Sequence, residues 1–257
     1  MKKIGDKVLK GYSFALYFFL YAPILIMVVF SFNDSRLLAV WRGFSLRWYE
    51  TLFADPTVWK AFYNSIWVAL LTTIVSMVLG TMTAFVMIRH SFRGKSILDS
   101  SLYFPVVIPE ITEALSLLLF YVFTGIPLGG LTVAIGHIAF AISYATIVIR
   151  ARLVGFDRSV EEAARSLGAN ELRTFLHVTF PLILPGVIAG GLLAFTVSYD
   201  DFIKTAFTAG PGFQTLPLRI YAMASRGGVS PQLNALATVT LVVSLALAVV
   251  RLRLSKA

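Results

Sequence analysis

The sequence predicts an all-α membrane protein with six transmembrane helices and a pair of short cytoplasmic helices. Apolar residues make up 58% of the 257 residues and charged residues only 14%, which leaves too little polar surface for a water-soluble globule. Six apolar runs alternate with polar segments. One polar segment, residues 150–180, is far too long to be a turn. We expect residues 1–257 to form a single transmembrane domain.

Each apolar run reaches or nearly reaches the ~20 residues that a helix needs to cross hydrocarbon. The runs cover residues 12–31, 61–88, 97–123, 131–149, 185–203 and 233–250. The first run follows four lysines, as in a secretory signal peptide. It is too long for one and lacks a small-residue cleavage site, so it is interpreted as a retained anchor.

The basic residues predict the orientation of the helices. Fifteen of the 22 lysines and arginines lie before the first run, after the second, in residues 150–180 or after the sixth, and seven lie in the other connections. The positive-inside rule makes the richer side cytoplasmic, so both termini are expected in the cytoplasm. The net charge of +9 follows from this topology, because no clustered basic patch indicates a nucleic-acid partner.

The polar segment 150–180 contains start and stop signals for two short helices. Ser159 and Glu162 have the spacing of a capping box, which predicts the start of the first helix. Gly168 supplies the left-handed conformation that ends it. Asn170 is expected to cap a second helix that stops before Pro181. From these residues alone, an amphipathic helix pair lying on the membrane surface stays possible.

The spacing in this segment resembles that of a known family, the permeases of binding-protein-dependent ABC importers. Their loop has the form Glu-Ala-Ala, three residues, Gly, nine residues, Ile, one residue, Leu-Pro. The matching residues here are Glu162, Ala163, Ala164, Gly168, Val178, Phe180 and Pro181. The resemblance implies that residues 150–180 are a coupling loop seated on a separate ATPase subunit. Glu161 precedes the motif and Arg165 lies within it, and both are included in the expected coupling surface.

A wider resemblance covers nearly the whole chain. The strings FPVVIPEITEALSLL, LLAFTVSYDDF and GVSPQLNALAT are similar to those of the second permease in putrescine/spermidine importers. The resemblance implies a MetI-like fold in a bacterial inner membrane, with a homologous permease, two ATPase subunits and a periplasmic polyamine-binding protein as partners. ATP and Mg are expected on the ATPase subunits. No cofactor and no metal are expected in this chain, which is not expected to be an enzyme.

Four acidic residues stand inside the apolar runs. Glu110 and Glu113 lie in the third run, and Asp200 and Asp201 lie in the last turns of the fifth. A carboxylate in hydrocarbon is costly unless it faces a cavity, a partner or a substrate. Because no lysine or arginine falls inside a run, we expect these acids to bind a cation from outside the chain. A polyamine fits best, with Tyr199 adding cation–π contact.

Straight helices would place two of these acids at similar height. At 1.5 Å per residue, Glu110 is about 20 Å and Asp200 about 22 Å from the cytoplasmic ends of their runs. Pro109 is expected to kink the backbone next to Glu110. An equally good interpretation of Asp200 is a surface salt bridge with Lys204, four residues on.

Two other features predict packing rather than chemistry. His137 has no second ligand at i+3 or i+4, which favours a hydrogen-bonded packing residue over a metal ligand. Gly186 and Gly190 form a GxxxG motif followed by Gly191, which indicates close contact between helices.

Other functions remain open at this stage. An ABC permease of the same architecture for ferric ion, thiamine or an oxyanion would share the coupling loop. A proton-coupled secondary carrier would use the same acids as proton relays. A membrane enzyme is disfavoured, because the sequence has no His-Glu-x-x-His helix and no nucleophile elbow.

Overall fold

The structure is a computed structural model that describes residues 2–35, 40–227 and 230–254, and most of these residues are helical. In chain order the helices are α1 (Lys2–Phe30), α2 (Arg47–Ala54), α3 (Pro56–Arg89), α4 (Lys95–Val107), α5 (Glu110–Thr124), α6 (Gly130–Val154), α7 (Ser159–Ser166), α8 (Glu171–Thr174), a π-helical turn (Phe175–Thr179), α9 (Phe180–Tyr199), α10 (Ile203–Thr208), α11 (Leu216–Gly227) and α12 (Pro231–Leu254). The predicted all-α class is confirmed.

Four helical stretches are long and apolar enough to cross a membrane. They are Leu9–Phe30, Pro56–Arg89, Gly130–Val154 and Glu171–Tyr199. A fifth candidate is the bent pair α4 and α5. The apolar part of α12, Pro231–Ala246, falls short of the usual ~20 residues. The described residues therefore hold four or five such spans, and the predicted count of six is not confirmed.

The third apolar run is broken rather than kinked. Helices α4 and α5 meet at 109° around Ile108 and Pro109. Both residues are extended, with ψ of 136° at Ile108 and 130° at Pro109. Proline disfavours the helical conformation of the residue before it, so Ile108 cannot continue α4. The height of about 20 Å expected for Glu110 assumed one straight helix, and that estimate is wrong.

The chain forms two compact units, Met1–Trp59 with Arg219–Val243 and Lys60–Leu218 with Ser244–Ala257. In the first unit, the buried side chain of Asn33 organises the turn after α1. Its Nδ2 donates to the Val40 carbonyl at 2.8 Å, and its Oδ1 accepts from the Arg42 amide at 2.9 Å. All the predicted site residues belong to the second unit.

The second unit is built on the packing of α6 against α9. A Cβ added to Gly186 would lie 2.7 Å from Arg152 Cβ, and one added to Gly190 would lie 3.2 Å from the Ala145 carbonyl oxygen. At Gly191 an added Cβ would lie 2.3 Å from Met77 Sδ of α3. The GxxxG prediction is confirmed, because hydrogen side chains at these positions let the helices touch.

Replacing Gly190 by leucine is expected to destabilise this helix pair. The new side chain would press on backbone of α6, which cannot move aside as a flexible side chain does, so a loss of about 1–3 kcal/mol is expected. Thermal unfolding of the detergent-solubilised protein measures the loss. Gly11→Leu is the control, because a Cβ at Gly11 meets nothing within 4 Å. An equal melting temperature for both variants would contradict the packing argument.

Candidate substrate and coupling sites

A cluster of charged side chains joins α5 and α10. Lys204 Nζ lies 2.8 Å from Glu110 Oε1, 3.2 Å from Glu113 Oε2 and 3.9 Å from Asp201 Oδ2. Glu110 and Glu113 stand in the first turn of α5, where their i,i+3 spacing puts them on one face. Acids are also stabilised there by the positive end of the helix dipole. The break at Pro109 thus creates the helix start that holds both glutamates.

The lysine in this cluster overturns one premise of the sequence analysis. From the sequence, the four acids are expected to bind a cation from outside the chain, and Lys204 is considered only as a surface partner of Asp200. Instead the Lys204 side chain is only 5% exposed and pairs with three carboxylates. The reason is that α9 ends at Tyr199 and a new helix, α10, packs against α5 and α6.

Asp201 is the most buried acid of the cluster. Its Oδ1 accepts from the Thr205 amide at 3.0 Å and lies 3.2 Å from His137 Nε2. The other ring nitrogen of His137 hydrogen bonds with Ser198 Oγ at 2.8 Å. This agrees with the prediction of a hydrogen-bonded packing histidine. Asp201 Oδ2 has no hydrogen-bond partner among the described residues, and its nearest cation is Lys204.

Two predicted site residues lie outside the cluster. Asp200 is the C-cap of α9, and its Oδ1 accepts from Ser244 Oγ at 3.2 Å. The suggested Asp200–Lys204 pair is therefore replaced by Asp201–Lys204. The Tyr199 ring is buried and stacks on Phe195, with centroids 5.8 Å apart. Contact of Asp200 or Tyr199 with substrate stays a prediction.

The aromatic side chain that meets a cation in this region is Phe140. Lys204 Nζ lies 4.0 Å from the centroid of its ring. Sequence reasoning missed Phe140, because it is one of 21 phenylalanines. The same reasoning named Lys204 only as an alternative partner of Asp200, because Lys204 follows the end of a predicted span. The signal for the pair that forms was the i,i+3 spacing of Asp201 and Lys204.

A cavity of about 300 Å³ opens beside the cluster. Its charged lining residues are Glu113 and Lys204, and its other walls are largely apolar. These walls are formed by Pro105, Ile108, Thr112, Ser116, Leu117, Gly136, Ala139 and Phe140. No group of three or more His, Asp or Glu side chains within the described ranges is placed to hold a metal ion.

The coupling loop begins differently from its prediction. Arg158 is the N-cap residue of α7, and its side chain makes no capping hydrogen bond. Instead Asp157 Oδ1 accepts from the Ser159 amide at 2.9 Å, and this backbone hydrogen bond holds the pKa of Asp157 below its ordinary value. The capping-box prediction for Ser159 and Glu162 is wrong. An acid one residue before the cap position competed for the same orphan N–H groups.

The bend of the loop follows the sequence signals. Gly168 has φ of +88°, and a Cβ there would meet nothing within 4 Å, so glycine is required by the backbone rather than by space. Asn170 Oδ1 accepts from the Arg173 amide at 2.9 Å and caps the next helix. Both predictions are confirmed.

The second helix does not stop before Pro181. Helix α8, the π-helical turn and α9 follow one another without a gap from Glu171 to Tyr199. Pro181 is the second residue of α9 and directly follows the π-helical turn, so it lies within the continuous helical stretch and does not end it. Only α7 of the predicted pair is a separate short helix. The second predicted helix is the beginning of a longer helical stretch that could span the membrane.

A buried ion pair fixes α7 to neighbouring helices of the second unit. Glu161 Oε1 accepts from Arg89 Nη2 at 2.5 Å and from Thr179 Oγ1 at 2.6 Å. The Arg89 guanidinium lies 5.7 Å from the ring centroids of both Phe85 and Phe156. One glutamate thus joins α7 to the end of α3 and to the π-helical turn.

The remaining coupling residues face outward. Glu162, Ala163, Arg165, Gly168 and Pro181 are exposed, and Ala164 is half-buried. Leu167 is 89% exposed and Leu172 is 66% exposed beside them. An open cleft of about 610 Å³ lies between α7, α8 and the end of α3. Exposed leucines next to small alanines form a surface that another protein can approach closely.

Comparison with known proteins assigns the family. The sequence profile described as "Binding-protein-dependent transport system inner membrane component" matches residues 76–256. The chain belongs to this permease family. The spermidine/putrescine transport system permease protein PotC of Haemophilus influenzae is 40% identical over 239 residues, 93% of each chain. The putrescine transport system permease protein PotI of Escherichia coli K12 is 41% identical over 230 residues, covering 87% of this chain and 82% of PotI.

Solved structures agree with the permease fold. A bacterial ABC transporter that imports the acidic polysaccharide alginate contains a chain with a TM-score of 0.75 and 17% identity, covering 98% of this permease and 96% of that chain. The MetNI methionine ABC transporter gives a TM-score of 0.61 at 15% identity, covering 79% and 97%. The permease therefore has the MetI-like fold. It is a multi-pass inner-membrane transport subunit and not an enzyme.

Breaking the Arg89–Glu161 pair is expected to destabilise the permease strongly. Arg89→Met leaves Glu161 buried without its cation, and removal of one partner from a buried pair costs about 3–5 kcal/mol. Adding Glu161→Gln to Arg89→Met should recover part of the loss, and a double-mutant cycle on thermal unfolding measures the coupling. The control is the more exposed Arg150–Asp99 pair, for which about 0–1 kcal/mol is expected. Equal losses at both pairs would contradict the special role of Glu161.

Proposed function

We propose that this permease is one of two membrane subunits of an ABC importer that carries putrescine, spermidine or both from the periplasm to the cytoplasm. The observation that carries the proposal is the 40% identity to the spermidine/putrescine permease of H. influenzae over 93% of the chain. The charge cluster agrees with a cationic substrate, because three carboxylates surround one ammonium. A solute that reaches this cavity meets surplus negative charge.

The proposed partners are a homologous permease, two ATPase subunits and a periplasmic polyamine-binding protein. The exposed face of α7 supports an ATPase partner, because it presents the charged Glu162 and the small Ala163 beside the exposed Leu167. The basic residues support a topology with both termini and α7 in the cytoplasm. ATP and its Mg would then bind on the subunits that contact α7.

The mechanism follows from how α7 is held. ATP-driven closure of the ATPase pair would displace α7, and Glu161 would pass that displacement to α3 through Arg89 and to the π-helical turn through Thr179. The α9 helix continues from that turn to Asp200, next to Asp201 of the charge cluster. Opening of the cavity to one side and then to the other would carry the cation across.

Transport assays test the substrate class. Proteoliposomes with the complete importer should take up radiolabelled putrescine or spermidine with ATP inside and no proton gradient. Glu110→Gln should reduce uptake at least tenfold, because it removes the negative charge that would attract the substrate's ammonium group while keeping the shape of the side chain. Glu50→Gln on the exposed face of α2 is the matched control. Uptake of an oxyanion, ferric ion or thiamine in place of polyamines, or dependence on a proton gradient, would contradict the proposal.

The coupling role of the bend is tested at Gly168. Gly168→Val should abolish uptake while the protein still inserts, because a β-branched residue resists φ near +88°. Gly168→Asn should keep much of the uptake, since asparagine tolerates the left-handed region. Membrane insertion is checked by the amount of permease recovered from washed membranes. Full uptake by the valine variant would show that the positive φ is not needed.

A further inference from the structure

The ammonium of Lys204 sits in surroundings that suit a free alkylammonium ion. Glu110 and Glu113 accept from it at 2.8 and 3.2 Å, and the ring of Phe140 lies 4.0 Å away. Carboxylate oxygens and an aromatic face are the groups with which proteins bind organic ammonium ions. A lysine side chain is itself a four-carbon chain ending in a primary ammonium. The Lys204 side chain thus resembles one end of a diamine, and it lies inside the charge cluster.

The cluster has more negative charge than Lys204 neutralises. Three carboxylates face one ammonium. Asp201 contacts His137 and the Thr205 amide through Oδ1, but its Oδ2 has no hydrogen-bond partner in the described part of the chain. Glu110 is 45% exposed, so one carboxylate of the cluster can be reached by a solute. Buried or half-buried carboxylates that lack a counter-charge favour the entry of a cation.

The neighbouring cavity has walls that suit the rest of such a ligand. It is lined by Glu113 and Lys204, and its other walls include Leu117, Ala139 and Ile108. A volume of about 300 Å³ with mostly apolar walls suits a methylene chain, whose burial is favourable. The ammonium end of a diamine placed there would reach the carboxylate that Lys204 now holds.

We propose that Lys204 is a tethered ammonium that occupies the substrate's cation position on Glu113 and Glu110 while no substrate is bound. One terminal ammonium of a diamine displaces it, with the methylene chain in the apolar cavity. Return of Lys204 then expels the substrate, so binding inside the permease stays weak enough for release. This inference rests on the proposed polyamine function and adds the residue that sets affinity at its site.

Direct binding to the importer without its periplasmic binding protein tests the proposal. The probes are putrescine and n-butylammonium, and the readout is the free-ligand concentration that gives half of the maximal heat in a calorimetric titration. Lys204→Ala should melt lower than the wild type without ligand, and its half-maximal concentration for both probes should be about tenfold lower. Lys204→Arg keeps the tethered cation and should bind as weakly as the wild type. Lys95→Ala is the matched control on a half-buried lysine outside the cluster, whose Nζ donates to the His90 carbonyl.

Three results would overturn the inference. Equal half-maximal concentrations for Lys204→Ala and the wild type would mean that Lys204 does not compete with the ligand. If the double variant Lys204→Ala/Glu113→Gln gained as much affinity for the probes as Lys204→Ala alone, the ligand would not bind at Glu113. Stabilisation of the wild type by 4-aminobutanoate, and not by putrescine, would make Lys204 a partner for a substrate carboxylate. Should Lys204→Ala fail to assemble, Lys204→Met keeps the length of the side chain and answers the same question.

The two proposals fail separately. ATP-driven polyamine uptake by the wild type, with no gain of affinity in Lys204→Ala, removes the tethered-ammonium inference and leaves the transport function. Lack of polyamine uptake, with a gain of n-butylammonium affinity in Lys204→Ala, removes the polyamine function and leaves an ammonium site.

Discussion

The cost of an unpaired charge away from water decides where the buried ionic side chains of this permease lie. Lys204 is nearly inaccessible and is surrounded by three carboxylates, and Glu161 is paired with Arg89 and Thr179. Burial of either charge alone would cost several kcal/mol. Each ionic group also joins elements far apart in sequence: Lys204 joins α10 to α5, and Glu161 joins α7 to α3. Charge pairing therefore links both candidate sites to the helical framework.

Close packing of α6 and α9 provides the rigid part of that framework. Small residues at Gly186 and Gly190 let the two helices touch, and His137 of α6 then lies within hydrogen-bond distance of Ser198 near the end of α9. The same histidine contacts Asp201, so the position of the charge cluster depends on a contact between two buried helices. Van der Waals contact and hydrogen bonds hold such helices together in a membrane, where the hydrophobic effect does not drive their association.

The features that sequence reasoning predicted correctly are those set by local chemistry. The positive φ of Gly168, the cap at Asn170 and the close packing at Gly190 each depend on one residue type and its near neighbours. The features it missed depend on competition or on tertiary folding. Asp157 displaced Ser159 as the partner of an orphan N–H, and Pro109 turned an expected kink into a bend of 109°. The pairing of Lys204 with Glu110 and Glu113 was missed, because nothing in its local sequence indicates that α10 packs onto α5.

The π-helical turn between α8 and α9 sets which face of α9 meets the rest of the unit. A turn with i→i+5 bonds takes about one residue more than an α-helical turn, and one residue corresponds to roughly 100° of rotation about the axis. Every side chain from Phe180 to Tyr199 is thus oriented by those five residues. If Phe175–Thr179 were wound as plain α-helix on a fixed α8, the glycine face would turn away from α6. The rotation of α9 about its axis is therefore set in the same turn where Thr179 contacts Glu161 of α7.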